Sequence, residues 1–351
     1  MTSTKLKITA MVALVLAVFV VGMGAYTRLT EAGLGCPDWP GCYGHHSVPT
    51  TAADIAKANA AFPDTPLEPH KAWNEMIHRY LAGALGLLIL GLAIRALWQR
   101  HERILCVSLL LVVIFQAALG MWTVTLNLMP LVVMGHLLGG FLVLALLWLL
   151  VLKQWEVPSP NVRGTPRLIA LAWGGLLILV AQIALGGWTS ANYAAVVCTQ
   201  LPLCEGNWWQ NYNISAALHV PPAETYQYGV LDYGARTTIH VTHRIGAVIT
   251  ACYLLFLASI WWRSSQEHVS KGLAVALVLA LFTQVGLGIS NVVLQLPLAI
   301  AVAHNLVAAS LVLVLVAMLW RLHQAHALGA KQQVDLPTLT AARVLSGGQH
   351  G

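Results

Sequence analysis

GAYTRLTEAGLGCPDWPGCYG (residues 24–44) and GGWTSANYAAVVCTQLPLCEG (residues 186–206) are two versions of one pattern, 162 positions apart. Gly24 falls on Gly186, Thr27 on Thr189, Cys36 on Cys198, Pro40 on Pro202, Cys42 on Cys204 and Gly44 on Gly206. Further along, His78-Arg79 falls on His243-Arg244 at an offset of 165. Gln116, Gly120 and His136 fall on Gln284, Gly288 and His304 at 168. Matched glycines are cheap in an apolar chain; matched cysteine pairs and matched histidines are not. The chain is therefore an internal repeat, and a repeat dictates architecture before any single element is assigned.

The repeat is built from apolar runs. Of 351 residues 58% are hydrophobic and only 9% are charged, with a mean hydropathy of +0.72. Soluble domains carry roughly 25% charged residues, so a surface this poor in charge cannot be wetted. A soluble enzyme, a disordered chain and a nucleic-acid binder are excluded. Eight runs approach the ~20 residues that cross a bilayer: about 7–28, 73–98, 103–125, 130–152, 167–190, 236–262, 270–293 and 297–322. The first follows Lys5 and Lys7 but is too long for a signal-peptide core and is kept as a helix. The fold class is an all-α integral membrane protein of eight transmembrane helices in two pseudosymmetric four-helix bundles. Residues 1–152 form the N-terminal half, 153–166 a cytoplasmic linker, 167–326 the C-terminal half, and 327–351 a polar, disordered cytoplasmic tail. With four helices each, the halves point the same way and are related by an axis along the membrane normal.

The net charge of +6 reads as topology. Short connections hold Arg95, Arg100 and Arg103, then Lys153, Arg163 and Arg167, then Arg263 and Lys271. The long connection 29–72 sets Lys57 and Lys71 against five acidic residues, and 191–235 contains no Lys or Arg. The positive-inside rule puts both termini in the cytoplasm and both long loops outside.

An ionisable group within a membrane helix is a functional-site hypothesis by default. His78, His136, His243 and His304 lie on helices two, four, six and eight, all running inward, roughly 8–11 Å from the outer end at 1.5 Å per residue. Each half thus places two imidazoles at one depth on parallel helices, a geometry for gripping a flat macrocycle from both faces. Haem iron takes axial His, and bundle cores build such sites. Histidines bonded across helices as polar glue are the plainer alternative. Zinc would want three or four clustered ligands. Glu75 lies three residues before His78 and shares its helix face; His240 occupies the equivalent place before His243. A carboxylate in one half only is suited to moving protons or stabilising developing charge, or to an ion pair with Arg79 or Lys71. Arg79 and Arg244 are candidates for pairing haem propionates. Cys36 and Cys42, like Cys198 and Cys204, bracket five residues on the outer face, where disulfides persist. Disulfides 36–42 and 198–204 are expected. Cys106 and Cys252 read as inert buried thiols.

RLTEAGLGCPDWPGCYG (28–44) followed by WNEMIHR (73–79) resembles the haem A synthase family, and in particular its bacterial members with cysteine pairs in both long external loops. The likeness spans about Thr27 to His304. The first loop is longer than in some members, with a 45–70 stretch rich in Ala and Pro. The resemblance implies a haem-dependent oxidoreductase that converts haem O to haem A for terminal oxidases, in cytochrome oxidase assembly. The C8 methyl group becomes a formyl through two successive hydroxylations. It implies a haem b whose iron is held by His243 and His304, and a substrate haem O near His78 and His136 with Glu75 catalytic. The implied partners are haem O and the haem O synthase that supplies it, an electron donor, membrane lipid and a second copy of the chain, with no nucleic acid. The implied location is a bacterial inner membrane. Two rivals remain. A di-haem cytochrome b passing electrons from a quinol needs paired His but no Glu75/His240 difference. A transporter with parallel repeats wants its polar groups near the midplane.

The topology is open to direct test. A reporter fused after His326 should read as cytoplasmic and one inserted near Ala53 as external. The reverse pair of readings would overturn the Lys/Arg argument.

Overall fold

Lipid offers no partner to a backbone N–H or C=O, so an apolar chain of this length satisfies its own backbone in helices. The computed structural model describes residues 2–155, 160–162 and 165–346, with side chains for 4, 6–155, 160–162 and 165–328. Arg163 therefore lies outside the described residues. Ten α-helices occur among them: α1 (Thr2–Leu29), α2 (Ala52–Ala61), α3 (Pro69–Gln99), α4 (Arg103–Thr125), α5 (Pro130–Gln154), α6 (Thr165–Ala191), α7 (Ile214–Leu218), α8 (Tyr233–Ser264), α9 (His268–Val293) and α10 (Leu298–Ser346). Eight are long and apolar enough to cross a membrane; α2 and α7 are not. No strand is present among the described residues, only two isolated bridges. The protein is a multi-pass membrane protein.

Helix α1 packs on α3, α3 on α4, α4 on α5 and α5 back on α1. The second half repeats this closed ring with α6, α8, α9 and α10. The halves meet through α5 on α10, α1 on α10 and α5 on α6. Two seams carry hydrogen bonds. Trp148 Nε1 donates to the Leu313 carbonyl at 2.9 Å. At the loop end, Arg28 Nη2 donates to the Ser190 carbonyl at 2.6 Å and its guanidinium lies 4.2 Å from the Tyr193 ring centroid. The backbone repeats too. Glu31 and Tyr193 end α1 and α6 with φ of 55° and 53°, and Asn127-Leu128 and Gln295-Leu296 form the same left-handed pair before α5 and α10.

The helices match the apolar runs, with two differences at the loop end. Helices α3 and α8 begin at Pro69 and Tyr233, earlier than the apolar runs at about 73 and 236. Proline suits a first helical position because its missing N–H would be unpaired anyway. At α8, Asp232 accepts from the Ala235 N–H at 2.7 Å as an N-cap. These extra turns stand in the loops and bury Ala72 and Ala235 there. The loops also hold short elements that hydropathy does not show: α2, capped by Thr51 Oγ1, a 3₁₀ turn (Trp208–Asn211) and α7. At the other end, α10 continues as helix to Ser346, where sequence reading ends ordered structure at His326. The extension is rich in Ala, Leu and Gln, all good helix formers.

The two cysteine pairs are disulfide-bonded, and Cys106 is buried. Cys252 is not: it is exposed. It shares an outward α8 face with Ile249 and Phe256, both exposed, three and four residues away and hence neighbours on a helix. An apolar setting in sequence thus meant lipid, not core. In detergent, a small uncharged thiol reagent should label Cys252 without reductant. Denaturant should add Cys106 and nothing else until the protein is reduced. Earlier labelling of any other cysteine would contradict this arrangement.

Candidate functional site

A close-packed apolar cluster fills the bundle away from the loops, with Leu92, Leu109, Leu147, Leu257, Leu277 and Leu315 all buried. Nearer the loops the long helices give up this packing to polar side chains. His78 on α3 and His136 on α5 face each other there, ring centroids 6.4 Å apart and planes at 88°. His243 on α8 and His304 on α10 hold the corresponding places.

Each of the four rings is backed by a glycine on a neighbouring helix. A Cβ on Gly24 would come 3.0 Å from His78 Cε1, and one on Gly120 3.4 Å from His136 Cε1. On Gly186 it would come 3.2 Å from His243 Cε1, and on Gly288 3.2 Å from His304 Cε1. The pairs are the repeat partners, so one local device is used four times. Glycine lets the neighbouring helix approach until the edge of the imidazole rests on its backbone. The ring's orientation is then set by packing.

The nitrogens are less well served. Nδ1 of His78, His136 and His304 is buried with no hydrogen-bond partner, an uncommon state for a buried polar atom. His243 differs, with Gln182 Nε2 3.0 Å from its Nδ1. Gln284 Nε2 lies 3.2 Å from His304 Nε2. Two nitrogens bound on opposite sides of one metal ion stand about 4 Å apart, each bond being about 2 Å, and their ring centroids lie somewhat further apart. The separation of His78 and His136 fits that spacing. Imidazoles with incomplete hydrogen bonding, His78 and His136 facing each other, are a donor set suited to haem iron.

The disulfide loops sit directly above. Helix α3 reaches into the first with Glu75, whose Oε2 accepts from the Cys36 N–H at 2.9 Å and whose Oε1 pairs with Arg79. Arg79 Nη1 also donates to the carbonyls of Asp38 at 3.0 Å, Pro40 at 3.2 Å and Gly41 at 2.6 Å. Arg244 does the same for the second loop, donating to Gln200 at 2.6 Å, to Cys198 at 2.7 Å and to Leu203. Both arginines, expected as propionate partners, thus give Nη donors to loop carbonyls, Arg79 also to Glu75, and a propionate would compete with those bonds. Glu75 is in an ion pair with Arg79 and also one turn before His78. His240, in the matching place, is buried with Nδ1 unpartnered.

Carboxylates hold the loops as well. Asp38 accepts from the N–H of Tyr43 at 2.6 Å and of Gly44 at 2.7 Å. Gly44 has φ of 75°, a conformation that favours glycine. Tyr43 donates to the Thr65 carbonyl at 2.9 Å; burial, then the charges of Glu68, Glu75 and Asp38, push its hydroxyl above the usual pKa of 10.0. Glu205 has the anchoring role in the second loop, accepting from Thr199 and Gln200.

Sequence reading finds the histidines, Glu75 and the cysteines but misses Gln182 and the purpose of the glycines. Two glycine pairs are visible as repeat matches; nothing in the sequence says they touch histidines. Gln182 is a lone amide in an apolar run whose partner position is Val20, which is a visible signal.

The COX15-CtaA family model, described as cytochrome oxidase assembly protein, matches residues 7–316. A haem A synthase of Shewanella oneidensis is 52% identical over 311 residues, covering 87% of this chain and 93% of that protein. One from Methylobacterium radiotolerans is 30% identical, covering 84% and 83%. One from Rhizorhabdus wittichii is 27% identical, covering 88% and 90%.

The Glu75–Arg79 pair makes a stability claim of its own. Removing one partner of a buried pair costs about 3–5 kcal/mol, because the other charge stays buried alone. Arg79→Met should therefore lower the thermal midpoint of the detergent-solubilised protein more than Glu75→Gln/Arg79→Met does. If the single and double variants unfold together, the three carbonyl bonds of Arg79 matter and the ion pair does not.

Proposed function

From the premise that this chain belongs to the COX15-CtaA family of cytochrome oxidase assembly proteins, we propose that it synthesises haem A from haem O within the membrane. It is an enzyme of haem A biosynthesis. The reading goes further in three respects: which half does what, which atom reacts, and which residues act.

Haem O is assigned to the N-terminal half, between His78 and His136, and a resident haem b to the C-terminal half, between His243 and His304. The observation that carries the division is the one place where the clamps differ chemically. Above His78 stands Glu75, buried against the Cys36 amide and Arg79; above His243 the same turn offers His240. A carboxylate is what the reacting half needs and what a purely electron-carrying half does not. A di-haem cytochrome b leaves this difference without a use.

The reaction converts the C8 methyl group to a formyl. Each hydroxylation replaces a C–H bond by C–OH and withdraws two electrons from the carbon, four in all, which an external oxidant must take up; the hydroxymethyl group formed first becomes a geminal diol that loses water to leave the formyl. A bound haem supplies the redox chemistry, while the chain supplies position, charge and exclusion of water. The glycine-backed imidazoles fix the macrocycle's height and plane. The Cys36–Cys42 loop, clamped by Arg79, covers the site on the loop side. Glu75 carries negative charge where positive charge develops on the ring substituent, and its Oε atoms can take and return a proton. Arg79 and the Cys36 N–H hold that carboxylate in place. The Lys/Arg distribution supports both termini on the cytoplasmic side, with the loops facing outward from a bacterial inner membrane.

Glu75→Gln keeps the shape and removes the charge. Haem A formation should fall by about 10²-fold or more, the usual size for one acid–base or electrostatic group. A low-spin b-type spectrum should persist, since His243 and His304 belong to the other ring of helices. Pigment extracted from the purified variant, compared with His304→Ala, decides the matter. His304→Ala should lose the b-type signal. Normal haem A yield from Glu75→Gln, or an intact b-type spectrum in His304→Ala, would sink the assignment of that residue.

A further inference from the structure

Gln182 interrupts the apolar run of α6 and reaches His243 on α8. Its Nε2 donates to the His243 carbonyl at 2.9 Å and stands 3.0 Å from the ring's Nδ1. The side chain has room because α8 offers Gly246 opposite it; a Cβ there would lie 2.3 Å from Gln182 Oε1. The first half has neither residue. At the same offsets that align the glycines and the histidines, Val20 stands for Gln182 and Leu81 for Gly246. The two positions change together, glutamine with glycine and valine with leucine, as a steric couple must. Valine brings no amide, and a leucine at position 246 would occupy the space the amide fills. His78 is left with its Nδ1 unpartnered. Among the four facing histidines, His243 alone has a side chain on Nδ1.

An outer partner on the nitrogen that does not bind the metal fixes the ring's rotation and tautomer and strengthens it as a ligand. An amide can serve either tautomer. Gln182 Oε1 has no partner, and a half-turn of the amide presents it to an Nδ1–H, the tautomer that frees Nε2 for a metal. We propose that Gln182, seated by Gly246, is the positioning residue that makes the C-terminal half retain its haem. The Val20–Leu81 pair leaves His78 an unsupported ligand, suited to a haem that must enter as substrate and leave as product. The proposal rests on the assignment of the resident haem b to His243 and His304.

The test is haem release from the purified full-length protein in detergent to excess apomyoglobin, followed by absorbance. The unsubstituted protein should show a slowly released b-type fraction that His243→Ala abolishes. If His243→Ala keeps that fraction, the C-terminal haem assignment itself fails, whatever Gln182 does. With that fraction present and dependent on His243, Gln182→Val should release it about 10–100-fold faster, the usual effect of losing an outer-sphere partner. Its midpoint potential should also move. Gln182→Glu, which keeps an acceptor at Nδ1, should restore slow release. Unchanged release and potential in Gln182→Val overturn the proposal. The reciprocal variant, Val20→Gln/Leu81→Gly, needs no disturbance of the C-terminal half and decides the matter if Gln182→Val does not fold. It should slow release from the N-terminal half by a similar factor, and unchanged release there overturns the proposal.

Discussion

Everything in this protein follows from the cost of burying an imidazole among helices that face lipid. Hydrocarbon offers no hydrogen bond, so each ring must be satisfied by packing, by another side chain or by a ligand. The chain meets that cost with helix approach. Four glycines bring four helices against four rings at the same edge, and the rest of the bundle closes as apolar packing on the side away from the loops. The tight core and the polar site thus divide the thickness of the bundle between them. The disulfide loops then cover the site, each pinned by an arginine rising from the helix that carries a histidine.

Duplication explains why the device appears twice, and divergence explains why the halves are not equivalent. The shared parts are those that grip: paired histidines, backing glycines, arginine-clamped loops. The parts that differ are those that tune: Glu75 against His240, and Gln182 with Gly246 against Val20 with Leu81. Under the proposed assignment, two copies of one grip serve catalysis and storage by changing a few side chains around it. The backbone need not change, and the matched left-handed turns before α5 and α10 indicate that it has not.

Much of this is legible in the sequence, for a physical reason. A membrane admits almost nothing but helices, so hydropathy alone places eight of them to within a few residues, apart from the long C-terminal extension of α10, and the repeat supplies their pairing. Charged and polar residues in apolar runs are rare enough to be noticed, which is how His78, His136, His243, His304 and Glu75 stand out. What stays hidden depends on rotation about the helix axis. Cys252 reads like Cys106, yet one faces lipid and the other the core. Arg79 and Arg244 read as candidate propionate partners, and the bonds each also gives to loop carbonyls follow from no spacing rule. The short helices α2 and α7 are set by local capping, by Thr51 and Asn213, in polar loops, where hydropathy carries no signal.

The ion pair of Glu75 with Arg79 would on charge alone count against catalysis, since a carboxylate already neutralised has less to offer a reaction. The geometry argues otherwise. Arg79 divides its donors among Glu75 and three carbonyls of the disulfide loop, so the loop and the carboxylate are held by one guanidinium. Cys36, a member of the disulfide, gives its N–H to the other carboxylate oxygen. Glu75 is therefore fixed between the loop and the histidine one turn away, with little freedom to turn aside. Electrostatic catalysis asks for a charge fixed in place before the reaction begins, because a charge that must reorganise returns part of its benefit as reorganisation energy. In the second half Arg244 holds the loop by carbonyls, and the position of Glu75 is taken by a histidine. The loop clamp thus persists without the carboxylate, which separates its structural work from the chemistry proposed for Glu75.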